Sequence, residues 1–131
     1  MNYIPPFELI RRSVDITTER GELRVTVSYD EFIKLLKLMI AGAKVDETWY
    51  LRTYEDIGGA VKEGVLPSGR HHFVNDGYFE GRLPSALKVD EAWYLKQYPD
   101  VAECVRAGTI ASAQAHFDKD GYREGRLPFP L

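Results

Sequence analysis

The sequence predicts a mainly α-helical protein, in which an N-terminal β-hairpin and one amphipathic helix precede two tandem three-helix repeats of about 43 residues. Residues 45–87 match residues 89–131 without a gap, at a spacing of 44 residues. Before them, Leu23, Val25 and Val27 alternate with polar residues, as in a strand with one apolar face. Apolar residues then recur at helical spacing up to residue 40. We therefore expect three parts: residues 1–44, 45–88 and 89–131.

The first 28 residues are expected to form an extended arm and a β-hairpin. Pro5 and Pro6 favour extended backbone at the N-terminus. From Leu9 onward the pattern is typical of strands, first around Ile10 and residues 13–16, and then over residues 21–28. Residues 18–21 between the two runs supply a turn, with Gly21 available for positive φ. Because a two-stranded hairpin is marginally stable in water, this one should rest on a helix or pair with another chain.

A helix is expected directly after the hairpin. Ser28 and Glu31 form a capping box, and Gly42 can end the helix. Its apolar residues extend beyond one stripe, which indicates contacts on two sides. We predict a homodimer formed through residues 1–42. The predicted interface residues are Leu23, Val25, Val27, Phe32, Leu36 and Met39.

Each repeat is predicted to contain three short helices. In the first copy, Asp46 caps the first helix, the second runs from Asp56 to Gly64, and Ser68 caps the third. The residues 44 positions later are expected to do the same in the second copy.

The third helix is expected to end at Gly77, or at Gly121 in the second copy. Glycine tolerates the left-handed conformation that a Schellman motif requires at this position. Such a motif brings the following tyrosine onto the aromatic residue of the helix. The predicted pairs are Tyr78 on Phe73 and Tyr122 on Phe117.

Composition argues against several classes of partner. A net charge of −3 and a pI near 5.6 make nucleic acid and anionic membrane surfaces unfavourable partners. No signal-peptide pattern opens the chain, and no apolar run approaches the roughly 18 residues that cross a bilayer. The single cysteine, Cys104, excludes an intramolecular disulfide and fits a reducing compartment. We expect a cytoplasmic protein without membrane insertion.

The second copy carries a resemblance to a known family of repeats. Residues 94–101 read YLKQYPDV, residues 116–117 read HF, and residues 121–128 read GYREGRLP. These strings resemble short repeats that accompany bacterial polysaccharide glycosyltransferases of the rhamnan-synthesis kind and that also occur in small stand-alone proteins. The first copy departs at Glu55, where the pattern has proline, and at Gly58 and Gly59. The resemblance excludes residues 1–44. It implies an accessory role in exopolysaccharide synthesis, without a catalytic residue of its own.

His72 and His116 are the first candidates for chemistry. Each precedes an aspartate by four residues, Asp76 or Asp120, a spacing that puts both groups on one helix face. This arrangement can serve as an acid–base pair or as half of a metal site. We interpret both histidines as structural, like the neighbouring Phe73, Gly77, Tyr78 and their second-copy equivalents. The sequence predicts no catalytic residue, metal ligand or cofactor.

Arginines and aromatic residues of the repeats are candidates for binding. Arg82 and Arg126 can hold an anion through a bidentate fork, although we expect each to pair with Asp76 or Asp120 or with helix-end carbonyls. The aromatic residues can stack on a sugar, although aromatic residues at helical spacing usually form core. The candidate surface comprises Trp49, Tyr54, Arg82, Trp93, Tyr98 and Arg126.

Two functions from different classes remain. The first is a non-catalytic adaptor or regulator that assembles through its N-terminal segment and presents its repeats to a polysaccharide-synthesis protein. The second is a carbohydrate-binding protein that uses the repeat aromatics and arginines. A DNA-binding regulator has less support, because the chain is acidic and has no basic recognition helix.

Overall fold

A computed structural model describes residues 3–131; Met1 and Asn2, the start of the predicted arm, lie outside the described residues. The chain divides into two compact units, Met1–Ser85 and Ala86–Leu131. Within the described range there are eight α-helices, two π-helical segments and one antiparallel hairpin. The prediction of a mainly helical chain with a single hairpin is confirmed. None of the helices in this range combines the length and apolar character that crossing a bilayer needs.

The first element is a helix, α1 (Phe7–Arg12), where a strand was predicted. Pro6 precedes it with extended backbone, Glu8 lies in its first turn and two arginines lie in its last. These charges interact favourably with the helix dipole, and Glu8 also pairs with Arg11 at 2.9 Å. The strand prediction for residues 9–12 is therefore wrong, because these local charges favour a helix over the alternation that Ile10 suggested.

The hairpin consists of β1 (Asp15–Glu19) and β2 (Glu22–Thr26). Arg20 and Gly21 join the strands, both with positive φ (51° and 81°), as in a type I′ turn. Ile16 lies opposite Val25 in the register, on the face that Leu23 shares. Every residue of both strands is exposed to solvent, so the apolar face is present but uncovered.

The predicted amphipathic helix is α2 (Tyr29–Ile40). The Ser28 hydroxyl accepts a hydrogen bond from the Glu31 amide at 3.2 Å, which is the predicted N-cap. Beyond its C-terminus, the Arg70 guanidinium donates to the carbonyl oxygens of Ala41 and Ala43. Arg70 thereby ties the end of α2 to the helices that follow in the same unit.

Each unit contains three helical segments of the predicted repeat region. In the first unit they are α3 (Glu47–Thr53), α4 (Glu55–Lys62) and α5 (Gly69–His72), which continues into the π segment Phe73–Gly77. In the second unit they are α6 (Glu91–Gln97), α7 (Pro99–Arg106) and α8 (Ala113–His116), which continues into the π segment Phe117–Gly121. The predicted aspartate and serine caps accept from the backbone as expected, at 3.0–3.1 Å.

Each unit has its own small aromatic core. Tyr50, Ile57 and Phe73 form the buried cluster of the first unit. In the second unit the cluster comprises Val89, Tyr94, Val101, Ala113 and Phe117. Partly buried tryptophan, tyrosine and leucine side chains surround both clusters.

Gly77 and Gly121 do not adopt the left-handed conformation that was predicted. Apart from Gly21 in the hairpin turn, the left-handed glycines are Gly64 and Gly81, with Gly108 and Gly125 in the second unit. Gly81 has the hydrogen bonds of a Schellman motif, since the Arg82 amide donates to the Gly77 carbonyl and the Gly81 amide to the Tyr78 carbonyl. The left-handed turn therefore lies four residues later than predicted.

Close packing explains the glycine at position 77. A Cβ atom there would overlap the hydroxyl oxygen of Tyr50, and one on Gly121 would overlap that of Tyr94. Gly77 lies in the π segment, where the Tyr78 amide donates to the Phe73 carbonyl at 2.9 Å. The predicted ring contacts still form, with centroids 6.3 Å apart in the first unit and 6.1 Å in the second.

We predict that Gly77→Ala and Gly121→Ala each destabilise the protein. The added methyl group displaces a buried tyrosine hydroxyl, and overpacking of this kind costs about 1–3 kcal/mol. Gly59→Ala is the matched control, because a Cβ on this helical glycine meets nothing within 4 Å. It should stabilise α4 by up to about 1 kcal/mol. Urea unfolding of the three variants measures the differences, and equal stability of Gly77→Ala and the unsubstituted protein would contradict the packing argument.

Candidate functional site

The two candidate histidines each form a hydrogen bond with a buried tyrosine. The Tyr50 hydroxyl lies 2.9 Å from Nδ1 of His72, and the Tyr94 hydroxyl lies 2.9 Å from Nδ1 of His116. Burial raises the pKa of Tyr50 to about 12 and also raises the pKa of Tyr94, so both hydroxyls keep their protons. A histidine tautomer with its proton on Nε2 leaves Nδ1 as the acceptor for the tyrosine hydroxyl.

The His72 ring is enclosed rather than presented to a substrate. Its Nε2 atom lies 3.5 Å from Oε1 of Glu80, and only 6% of the residue is exposed. His72 was predicted to be structural. Its hydrogen-bond partner is a tyrosine 22 residues earlier in the chain, which the helix spacing did not suggest. The two histidines belong to different units, each with its own tyrosine.

Arg82 is held by two carboxylates of its own unit. Its terminal nitrogens donate to both oxygens of Asp56 at 3.0 and 2.9 Å, and Nε donates to Glu80 at 2.9 Å. The guanidinium also lies 4.9 Å from the centre of the Tyr54 ring. The prediction that Arg82 pairs with Asp76 is therefore wrong. Because its bidentate fork and its Nε–H already bind carboxylates, Arg82 is a poor receptor for an external anion.

Arg126 makes the equivalent contacts in the second unit. It donates to both oxygens of Asp100 at 2.8 and 2.7 Å and to Glu124 at 2.7 Å, and it lies 4.9 Å from the Tyr98 ring centre. The predicted pairing with Asp120 is also wrong. The arginine hydrogen bond lowers the pKa of Asp100 to about 2, and the same cause lowers the pKa of Asp56.

The candidate aromatic platform is built into the same networks. The Tyr54 hydroxyl accepts from the Leu83 amide at 2.9 Å, and the Tyr98 hydroxyl accepts from the Leu127 amide at 2.8 Å. Trp49 contacts Tyr54 edge-on, and Trp93 contacts Tyr98 in the same way, with centroids 5.9 and 6.3 Å apart. Both tryptophans are half-buried. The ring faces therefore serve mainly to close each unit.

Sequence reasoning missed one pair of structural carboxylates. Glu47 accepts from the backbone amides of Gly69 and Arg70, and so caps the third helix from a distance. Glu91 does the same for Ala113 and Gln114. A signal for these glutamates was available, since Val-Asp-Glu occurs at the start of both copies. It was missed because the aspartate alone explains a helix cap at this position.

Metal binding finds no support in the part of the chain that the structure describes. No group of three His, Cys, Asp or Glu side chains within residues 3–131 is arranged to hold an ion. Cys104 is a free, half-buried thiol.

The N-terminal segment, by contrast, forms an open apolar groove of about 910 Å³. Ile4 and Pro5 line it from the arm, Phe7, Ile10 and Arg11 from α1, and Val14 from the linker to the hairpin. Ile16, Val25 and Val27 line it from the hairpin region, and Phe32, Leu35, Leu36 and Met39 from α2. Arg11 is the one charged residue among them, and it is paired with Glu8.

The predicted interface residues divide between the groove and its surroundings. Val25, Val27, Phe32, Leu36 and Met39 line the groove. Leu23 lies outside the lining, with 77% of its surface exposed. Sequence reasoning missed the wall that α1 contributes, because these residues were assigned to a strand. The groove is the candidate functional site, and its chemistry is that of an apolar contact surface.

We predict that the Asp100–Arg126 pair makes stability depend on pH at the acid end. The pKa of Asp100 falls from its ordinary 3.8 to about 2 in the folded protein, so the unfolded chain binds its proton more readily between these values. The stabilisation is complete above about pH 4 and is lost as the pH falls toward about 2. As the pH falls from about 4 to about 2, the free energy of unfolding should therefore decrease less for Asp100→Asn than for the unsubstituted protein. Unfolding midpoints at a series of pH values measure this, and parallel curves for the two proteins would refute it.

The groove is identified as the candidate site by its geometry alone. No family model, curated protein or solved structure matches this chain.

Proposed function

We propose that this chain is a non-catalytic interaction protein. In this proposal residues 45–88 and 89–131 are two copies of one structural repeat whose polar side chains pair internally, while residues 3–42 supply the contact surface. The observation that carries the proposal is a contrast between the two parts. The polar candidates of the repeats are paired inside their own units, whereas the apolar groove is open.

The internal pairing supports a non-catalytic role. A general base needs access to a substrate proton, but Tyr50 holds Nδ1 of His72, and the ring is almost fully buried. A bidentate anion site needs a free guanidinium fork, but Asp56 occupies the fork of Arg82 and Glu80 accepts from its Nε. The same contacts recur in the second unit.

The distribution of exposed apolar residues supports a contact role for the N-terminal segment. Of the fifteen large hydrophobic side chains that are exposed in the described residues, nine lie between Tyr3 and Met39. Concentrations of this kind mark interaction surfaces on soluble proteins. We therefore assign the binding function to the groove and its rim.

The biological context we propose is bacterial surface-polysaccharide synthesis, in the cytoplasm, as an accessory to the synthetic machinery. This part rests on the resemblance of residues 94–101 and 116–128 to repeats associated with such glycosyltransferases. Glycan binding by Trp49, Tyr54, Arg82 and their second-copy equivalents is the alternative, but the internal contacts of these side chains weigh against it. A net charge of −3 weighs against DNA binding.

The proposal predicts that proteins are captured at the groove and not elsewhere. A photo-crosslinking amino acid placed at Phe32 should form a covalent adduct with a protein in cells of the native host, since this side chain lines the groove and is 45% exposed. The matched control is the same amino acid at Val65, an apolar residue that is 72% exposed but lies outside the groove.

Gel mobility and mass spectrometry identify the adducts. Adducts at position 32 alone support the proposal. Equal capture at both positions, or no protein adduct at position 32, contradicts it. In the same protein, quenching of tryptophan fluorescence by oligosaccharides would favour the glycan alternative instead.

A further inference from the structure

We propose that the groove is half of a hydrophobic core, and that a second copy of this chain completes it. The inference rests on the proposed function, because it names the partner of the contact surface formed by residues 3–42. It also adds a consequence for folding, namely that the hairpin gains its supporting layer only in the dimer.

The N-terminal segment lacks a core of its own. Pro5 is the one buried residue between Tyr3 and Gly42, and α1, α2 and both strands contain none. A hairpin of two strands needs a third strand or a packed layer to be stable. The strand face that carries Ile16 and Val25 lines the open groove and is not covered by a packed layer. In the dimer that we propose, a second chain supplies this layer.

The exposed apolar area is large enough for a stable dimer. Nine large apolar side chains of this segment are between 44% and 77% exposed, from Tyr3 to Met39. With side-chain areas of about 150–250 Å², they offer on the order of 900 Å², against about 800 Å² per partner in a standard interface. Burying them together at one interface would match the needs of a specific complex.

The charges of the segment favour a copy of itself over an acidic or basic partner. Residues 3–42 contain six Lys or Arg and six Asp or Glu, so the segment is neutral, whereas the rest of the chain accounts for the net charge of −3. Two neutral surfaces approach each other without repulsion. The charge at the groove, Arg11, is compensated by Glu8 within the same helix.

The surface also has the relief that a two-fold interface requires. An isologous contact must present both a recess and a protrusion, since the same patch faces itself. The groove is the recess. Leu23, on the same strand face as Val25 and outside the lining, is 77% exposed, and Tyr29 at the start of α2 is 75% exposed. These two side chains are the protrusions that a partner's groove can receive.

Sedimentation equilibrium of the full chain over a range of concentrations tests the inference. The expected mass is twice the 15.0 kDa of one chain. The double variant Val25→Glu/Phe32→Glu places two charges in the groove and should sediment as a single chain. Val65→Glu, at an apolar site outside the groove that is 72% exposed, should remain a dimer. The tryptophan emission spectrum checks that the helical units stay folded in each variant.

Hydrogen exchange provides a second readout that does not depend on a variant. Amides of residues 15–26 should exchange more slowly as the concentration of the unsubstituted protein rises through the dimerisation range, while those of α6 and α7 should not change. A chain that is monomeric at every concentration overturns the inference, and so does a groove variant that remains dimeric. If the position-32 crosslinker captures a different protein while the purified chain is monomeric, the proposed function stands and the self-association fails. If it captures no protein, both fail.

Discussion

The hydrogen bond between a buried tyrosine and a buried histidine constrains the rest of each helical unit. Tyr50 on α3 must reach His72 on α5, so these two helices are fixed against each other. The hydroxyl occupies the space where a Cβ of Gly77 would lie, which excludes larger side chains there. A neutral hydrogen bond contributes about 0.5–1.5 kcal/mol, and its buried partners cost more than that when left unpaired. The second unit repeats this arrangement with Tyr94, His116 and Gly121.

The other polar groups extend the same closure toward the surface. Glu80 lies beside Nε2 of His72 and also accepts from Arg82, which in turn clamps Asp56 at the start of α4. Arg82 covers the ring of Tyr54, whose hydroxyl accepts a hydrogen bond from the Leu83 amide. Three helices and the closing turn are thus joined through one chain of contacts. Residue types that serve catalysis in other proteins here serve closure.

This closure explains why the contact function is assigned to the N-terminal segment. A unit whose aromatic and charged side chains face one another offers few free groups to a partner. The arm, α1, the hairpin and α2 have the opposite character, because their apolar side chains remain exposed around a groove. Arg70 connects the two parts by holding the carbonyl groups that follow α2. The helical unit can therefore position the groove without taking part in the contact.

The sequence was sufficient for the local features and insufficient for the long-range pairs. The caps at Ser28, Asp46 and Ser68 could be predicted, because a cap and its amide lie within three residues. The π segment could not, since its Gly77 packs against the hydroxyl of a tyrosine 27 positions earlier in the chain. The partner of Arg82 was also mistaken, because Asp56 lies 26 residues away and no helical spacing connects them.

Helix α1 was missed for a different reason. Its apolar residues fit a strand pattern over a short window, and its helical signal lies in the charges at its ends, Glu8 and the two arginines. In the candidate site, five of the six residues predicted for the oligomer interface line the groove, and Leu23 does not. The groove itself depends on how three elements meet, which no periodicity within one element describes.

The protonation pattern of the imidazoles tests the central claim most directly. Long-range ¹H–¹⁵N correlation spectra of the protein labelled at histidine distinguish an Nδ1 acceptor from an Nδ1–H donor at neutral pH. If His72 and His116 close their units, both spectra show a single tautomer with the proton on Nε2 and a hydrogen-bonded, unprotonated Nδ1. If both rings instead show the averaged shifts of free imidazole in exchange with solvent, these histidines are accessible, and the assignment of the repeats as closed supports is wrong.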